Sequence, residues 1–138
     1  MRERTWIGWI EYVDLPDWGV TRLRAKADTG ARTSALHVDK IRPRSRGRVS
    51  FEVVLHREHR DRHVPVVAHV SRRARVRSSN GTLEDRYFVE TTLVLGGVEK
   101  RIEISLVDRS SMNHRMLLGR TALSGEFVVD VRRRYVIG

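Results

Sequence analysis

Ala27-Asp28-Thr29-Gly30-Ala31-Arg32-Thr33-Ser34-Ala35-Leu36 is the most informative stretch of this chain. Thr21 to Ala27 alternates polar and apolar residues and delivers the chain to a carboxylate, then a hydroxyl, then a residue able to turn sharply. This order places Asp28 at a strand end, where N–H groups of the turn can hold it. Gly30 permits close backbone approach. The Thr29 hydroxyl can donate one hydrogen bond and accept another, so it can tie this loop to a matching loop. Ala31 is small, as a crowded site requires. The tripeptide by itself also fits an Asx turn, in which the aspartate caps its own backbone. The surrounding sequence decides between a turn and a site.

Strand patterns dominate on both sides. Trp6 to Val13 is an apolar, aromatic and β-branched run, and Leu15-Pro16-Asp17-Trp18-Gly19 punctuates it as a turn. Phe51, Val53 and Leu55 alternate with their neighbours, and Tyr87 to Leu95 reads as a long strand. Gly96-Gly97 is a two-residue hairpin signal before the alternating Arg101 to Leu106. Met116-Leu117-Leu118 is a short buried run ending at Gly119. Arg120 to Ser124 is the best helical candidate, stopped by Gly125. Phe127 to Val131 and Tyr135 to Ile137 read as closing strands. Many short strands with regular turns predict an all-β barrel or sandwich. The length, 138 residues, suits one domain over 1–138.

Composition narrows the function classes. With no cysteine there is no disulfide, thiol nucleophile or Cys-based metal site. No apolar run reaches the ~18 residues of a membrane helix, and Met1 to Trp6 lacks the apolar core of a secretory signal. A cytoplasmic protein without a membrane partner is the expectation. Lys plus Arg is 27 against 17 Asp plus Glu, a net charge of +10, and all but Lys26, Lys40 and Lys100 are arginine. This favours acidic partners. Arg42 to Arg48 reads as a basic loop, and Arg72 to Arg77 is basic but alternates like a strand; a solvated face is the simplest account of both.

Two further stretches raise the Asp28 loop above a chance turn. Leu117-Leu118-Gly119-Arg120 leads into the short helix, as a strand–Gly–Arg–helix element closes retroviral-type aspartic peptidases. Asn80-Gly81, inside Val76-Arg77-Ser78-Ser79-Asn80-Gly81-Thr82, predicts a type I′ hairpin where a retropepsin carries its flap. With Asp28 to His37, and Asp108-Arg109 through Met112 to Arg120, these stretches resemble a retropepsin-like family of bacterial and archaeal proteins labelled ATP-dependent zinc proteases.

The resemblance implies a closed retropepsin-like acid-protease barrel with one short C-terminal helix, working as a homodimer. It implies a catalytic Asp28-Thr29-Gly30, substrate contacts from Ala31, Arg32, Ser78, Ser79, Asn80 and Gly81, and support of the site by Leu118, Gly119 and Arg120. It also implies a peptide or protein substrate and a link to ATP-grasp glutamate ligases. The residues themselves do not support the label: there is no phosphate-binding Gly-x-x-x-x-Gly-Lys motif and no His-Glu-x-x-His. His59 and His63 have helical i, i+4 spacing, but the arginines of His56 to His63 repel a cation and the stretch reads as loop, so no metal and no cofactor are expected.

Arg32 departs from the retroviral pattern, which has an acidic residue there to pair with the Gly-Arg arginine. Arg120 must therefore find another partner, and the added charge suits acidic or glutamate-modified protein segments. A competing reading is a basic, non-catalytic module that binds RNA, a ribosomal surface or peptide. The absence of paired aromatic platforms makes nucleic acid the weaker partner. His37 reads as a structural hydrogen-bonding residue, Trp6, Trp9 and Trp18 as core or interface, and Asp130 as the partner of an arginine.

Overall fold

The computed structural model describes residues 3–56, 62–77, 81–108 and 113–138. Its elements follow in order: β1 (Thr5–Gly8), β2 (Ile10–Leu15), β3 (Val20–Ala27), β4 (Ser34–Arg44), β5 (Arg48–Val54), β6 (His63–His69), β7 (Arg72–Arg77), β8 (Leu83–Leu95), β9 (Val98–Val107), β10 (Met116–Leu118), α1 (Arg120–Leu123) and β11 (Phe127–Asp130). The protein is all-β with almost no helix.

Six strands form a closed barrel in the order β10-β3-β2-β8-β9-β4, and β4 returns to β10. Period-two alternation fills it. Val89, Thr91, Leu93 and Leu95 of β8 are buried, as are Ile102, Ile104 and Leu106 of β9. Leu23, Leu36, Met116 and Leu118 close the same cluster. Truncating one such aliphatic side chain to alanine costs about 2–5 kcal/mol.

Closure depends on β10, three residues long. It runs parallel to β3, with Met116 beside Ala25 and Leu118 beside Ala27. It runs antiparallel to β4, with Met116 beside Leu36 and Leu117 beside Ala35. Every residue of β10 thus has a neighbour on at least one side, and the loop joining β3 to β4 is held around its end.

The other strands extend this ring. β5 and β6 continue the sheet from the far half of β4, and β7 pairs with β8. β1 and β11 form a separate parallel pair from Thr5 beside Phe127 to Gly8 beside Asp130. Residues beyond β11 cross this end: Tyr135 donates to the Ile10 carbonyl (2.9 Å), and its ring stacks on Tyr12 at 5.0 Å. The buried Glu11 carboxylate accepts from the Gly8 and Ile137 N–H groups at 2.7 and 3.0 Å.

Several expectations from the sequence hold. Gly96-Gly97 makes a two-residue hairpin, both glycines at positive φ, with Leu95 opposite Val98. Pro16 to Trp18 is a 3-10 turn closed by a left-handed Gly19. The short helix lies at Arg120–Leu123, and Asp130 pairs with Arg133 at 3.6 Å.

Others are corrected. The opening run breaks at Trp9, because the chain leaves β1 beside β11 and enters β2 beside β3. Tyr135 to Ile137 is not a strand: Tyr135 has φ 55°, outside the extended region. The basic loop 42–48 is mostly strand, since Arg44 already faces Arg48 across a tight connection. Of the tryptophans expected in core or interface, Trp6 lies outside the core at 59% exposure, and Trp18 packs edge-on against Phe51 at 5.4 Å.

Candidate functional site

The Asp28 loop is built almost entirely from backbone hydrogen bonds. Asp28 N–H donates to the Leu118 carbonyl at 2.8 Å, continuing the β3–β10 ladder one residue past the strand. Gly30 N–H donates to Asp28 Oδ1 at 3.1 Å, and Ala31 N–H to the Asp28 carbonyl at 3.2 Å. The Asx turn is therefore present, and it orients the carboxylate. Asp28 is half-buried, while Thr29 and Gly30 are exposed.

Gly119 locks this loop to the start of the helix. A methyl group there would sit 2.6 Å from the Thr33 carbonyl carbon and 2.9 Å from the Arg32 oxygen, so only glycine allows the approach. Its N–H donates to the buried Ser34 hydroxyl at 3.0 Å. The next two N–H groups, of Arg120 and Thr121, donate to the Ala31 and Arg32 carbonyls at 2.8 and 3.0 Å. Leu118, Gly119 and Arg120 thus touch the loop that carries Asp28, Ala31 and Arg32.

Arg120 has a partner that sequence reading did not anticipate. Its guanidinium donates to the Thr29 carbonyl at 3.0 Å, which removes the need for a carboxylate at position 32. Arg32 is exposed and lines a polar cavity of about 400 Å³ with Thr33, Thr121, Arg72 and Glu103. Arg72 is bound to Glu103 at 3.0 Å and lies over the Phe88 ring at 3.8 Å. Among the described residues Arg32 forms no ion pair; the carboxylate of the cavity, Glu103, is engaged by Arg72.

Ser34 is a residue the sequence reading missed. It reads as one polar residue in a small-residue run, and its buried placement depends on β10 arriving from far along the chain. His37 is fully buried on β4, in agreement with a structural part.

The hairpin expected over the site is present as β7 and β8. Its last described pair is Arg77 with Leu83, and the turn expected at Asn80-Gly81 falls partly outside the described residues. Gly81 has φ 85° and its carbonyl accepts from the Arg77 guanidinium at 2.8 Å. Ser78, Ser79 and Asn80 lie outside the described residues, as do His59 and the segment from Arg109 to Met112. His63 begins β6, where its Nδ1 is 2.9 Å from a Glu52 oxygen. Among the described residues no three metal-binding side chains cluster. Nor is any helix there long and apolar enough to cross a membrane.

A second cavity, about 410 Å³ and mostly apolar, adjoins the loop. Thr29, Arg120 and Ser124 line it together with Leu123, Phe127, Val129 and Val131. Val131 is 77% exposed.

Residues 6–138 match the family described as RimB-like, retropepsin-like aspartic endopeptidase RimB. Curated relatives carry the name probable alpha-L-glutamate ligase. The Shewanella halifaxensis protein is 38% identical over 135 residues, covering 96% of this chain and 30% of its own length. The Parasynechococcus marenigrum protein is 36% identical over 143 residues, covering 100% of this chain and again 30% of its own. The chain therefore spans about a third of the length of these relatives. A crystal structure of a Legionella pneumophila protein of unknown function superposes with a TM-score of 0.81 at 23% identity, covering 99% of this chain and 100% of that one.

Proposed function

The chain belongs to the RimB-like family of retropepsin-like aspartic endopeptidases, and on that premise we propose that it hydrolyses peptide bonds as a homodimer. The observation that carries this reading is the held Asp28 carboxylate, fixed by the Gly30 N–H and by the ladder to Leu118. One chain supplies one such group, and two copies related by a two-fold axis supply a pair. The apolar cavity beside Thr29, with Phe127, Val129 and exposed Val131, supports a second copy packing here.

Two carboxylates ~3 Å apart share one proton and titrate together. The ionised Asp28 takes a proton from a bound water as its oxygen adds to the peptide carbonyl. The protonated Asp28 of the other chain hydrogen-bonds the developing oxyanion. Collapse of the tetrahedral species breaks the C–N bond, and the departing nitrogen takes its proton from a carboxyl group. Thr29 reaches the other chain's loop, and Gly30 and Ala31 leave room for substrate. The β7–β8 hairpin closes over an extended peptide, which Ser78, Ser79, Asn80 and Gly81 of the intervening sequence contact.

Arg32 supports preference for acidic or glutamate-modified segments, because it is exposed beside the loop and forms no ion pair among the described residues. Relatives in which a matching region occupies a third of a probable glutamate ligase support a functional link to such a ligase. The test is hydrolysis of acidic and neutral peptide libraries by wild type and Asp28→Asn. Activity that persists in a folded Asp28→Asn protein overturns the mechanism. Equal rates on acidic and neutral peptides overturn the role of Arg32.

A further inference from the structure

We propose that the outward face of the β4–β5–β6 sheet is a docking site for an acidic segment of polypeptide, remote from the Asp28 loop. Pairing fixes which side chains share this face. Arg44 stands opposite Arg48, and Arg48 opposite His69. Arg42 stands opposite Ser50, and Ser50 opposite Val67. The alternate residues Val49, Phe51 and Val53 point the other way, into the core.

Positive charge outweighs negative on this face. Its carboxylates are the cross-strand pair Glu52 and Asp39; Glu52 is compensated by Lys40 at 3.3 Å and by His63 at 2.9 Å, and Asp39 lies 3.9 Å from the other His63 nitrogen. Arg44 Nε donates to the Ser50 hydroxyl at 2.9 Å, and Arg48 Nε to the Ser45 carbonyl at 3.2 Å. Both partners are neutral, so these bonds orient the guanidinium groups without cancelling their charge. Lys40, Arg42 and Arg44 line a hollow of about 290 Å³ with Ser50, Val67 and the compensated Glu52, three cations to one carboxylate.

The geometry suits an extended polypeptide. Alternate residues on a strand stand roughly 6.6 Å apart, the same spacing at which an extended acidic chain presents alternate carboxylates. Val67, 59% exposed, offers an apolar contact beside the basic row. Phe51 lines the hollow but is 2% exposed, so no ring is presented for base stacking. β4 begins beside the Asp28 loop and ends here, roughly 30 Å away by strand length. Docking at this face needs neither Asp28 nor a second chain, so it stands apart from peptide hydrolysis.

The test is fluorescence anisotropy with a labelled ten-residue alternating Asp-Glu peptide, run on the full chain carrying Asp28→Asn to prevent turnover. Arg42→Ala/Arg44→Ala/Arg48→Ala is expected to weaken binding roughly tenfold and to flatten its salt dependence. The matching triple lysine variant should retain binding within about threefold, since the charge is preserved. Circular dichroism checks the fold of both. If the peptide fails to bind, or if Arg32→Ala abolishes binding while the triple alanine variant does not, the docking site is overturned and the cleft reading survives. If a labelled ten-nucleotide oligouridylate binds the same residues more tightly than the peptide, the partner assignment is overturned.

Discussion

The two ends of β4 are built on opposite principles. At its start, the backbone from Asp28 to Ser34 is clasped by β10 and α1 through short hydrogen bonds, and a single added methyl group at Gly119 would collide with it. At its far end, the strand leaves the barrel, bulges near Lys40 and presents arginines to solvent. The first end positions one carboxylate by contact. The second presents charge whose effect does not depend on fine placement. Substitutions should therefore be felt sharply at one end and weakly at the other.

The sharpest way to break this contrast is Asp28→Asn. Under the proposed mechanism peptide hydrolysis should fall by roughly 10³-fold or more, with an unchanged circular dichroism spectrum. Next comes Gly119→Ala, which forces the Arg32–Thr33 backbone aside. A loss of about 2–3 kcal/mol in urea unfolding is expected, and a loss under about 0.5 kcal/mol would show that the clasp yields easily. Ser34→Ala leaves the buried Gly119 N–H without its acceptor and should cost about 1–2 kcal/mol by the same measurement.

At the other end the effects shrink. The hydrogen bond from His63, foremost, with help from Lys40, holds the Glu52 carboxyl below its usual range. A depressed carboxyl contributes stability that is fully present above the unfolded value, ~4.3, and is lost as pH falls through the folded one. Glu52→Gln should therefore make stability less sensitive to pH below about 4. Urea midpoints measured down the acid range check this, and an unaltered slope counts against it. Smallest of all, Arg42→Ala should change stability by less than about 0.5 kcal/mol. A larger loss would mean that this arginine is structural, and the contrast between the two ends of β4 would fail.

Legibility followed the range of the interactions. The Asx turn at Asp28, the Gly96-Gly97 hairpin and the 3-10 turn at Pro16 arise from neighbouring residues, and each is written in a few letters. β6 was overlooked because His63 to His69 mixes histidine and proline with its valines. Its pairing with β5, from Arg48 beside His69 to Val54 beside His63, decides its conformation.

The sequence by itself determined that this is an all-β chain with a carboxylate–hydroxyl–glycine turn at a strand end, a Gly-Arg element far downstream and a surplus of arginine. Those properties depend on residue type and local spacing. Only the tertiary structure decided that β10 closes the barrel between β3 and β4, that Ser34 receives the Gly119 N–H, and that Arg120 settles on the Thr29 carbonyl rather than on a carboxylate. Each of these contacts joins residues eighty or more positions apart. No local propensity encodes such a contact; it forms when the closed barrel brings both partners to one end.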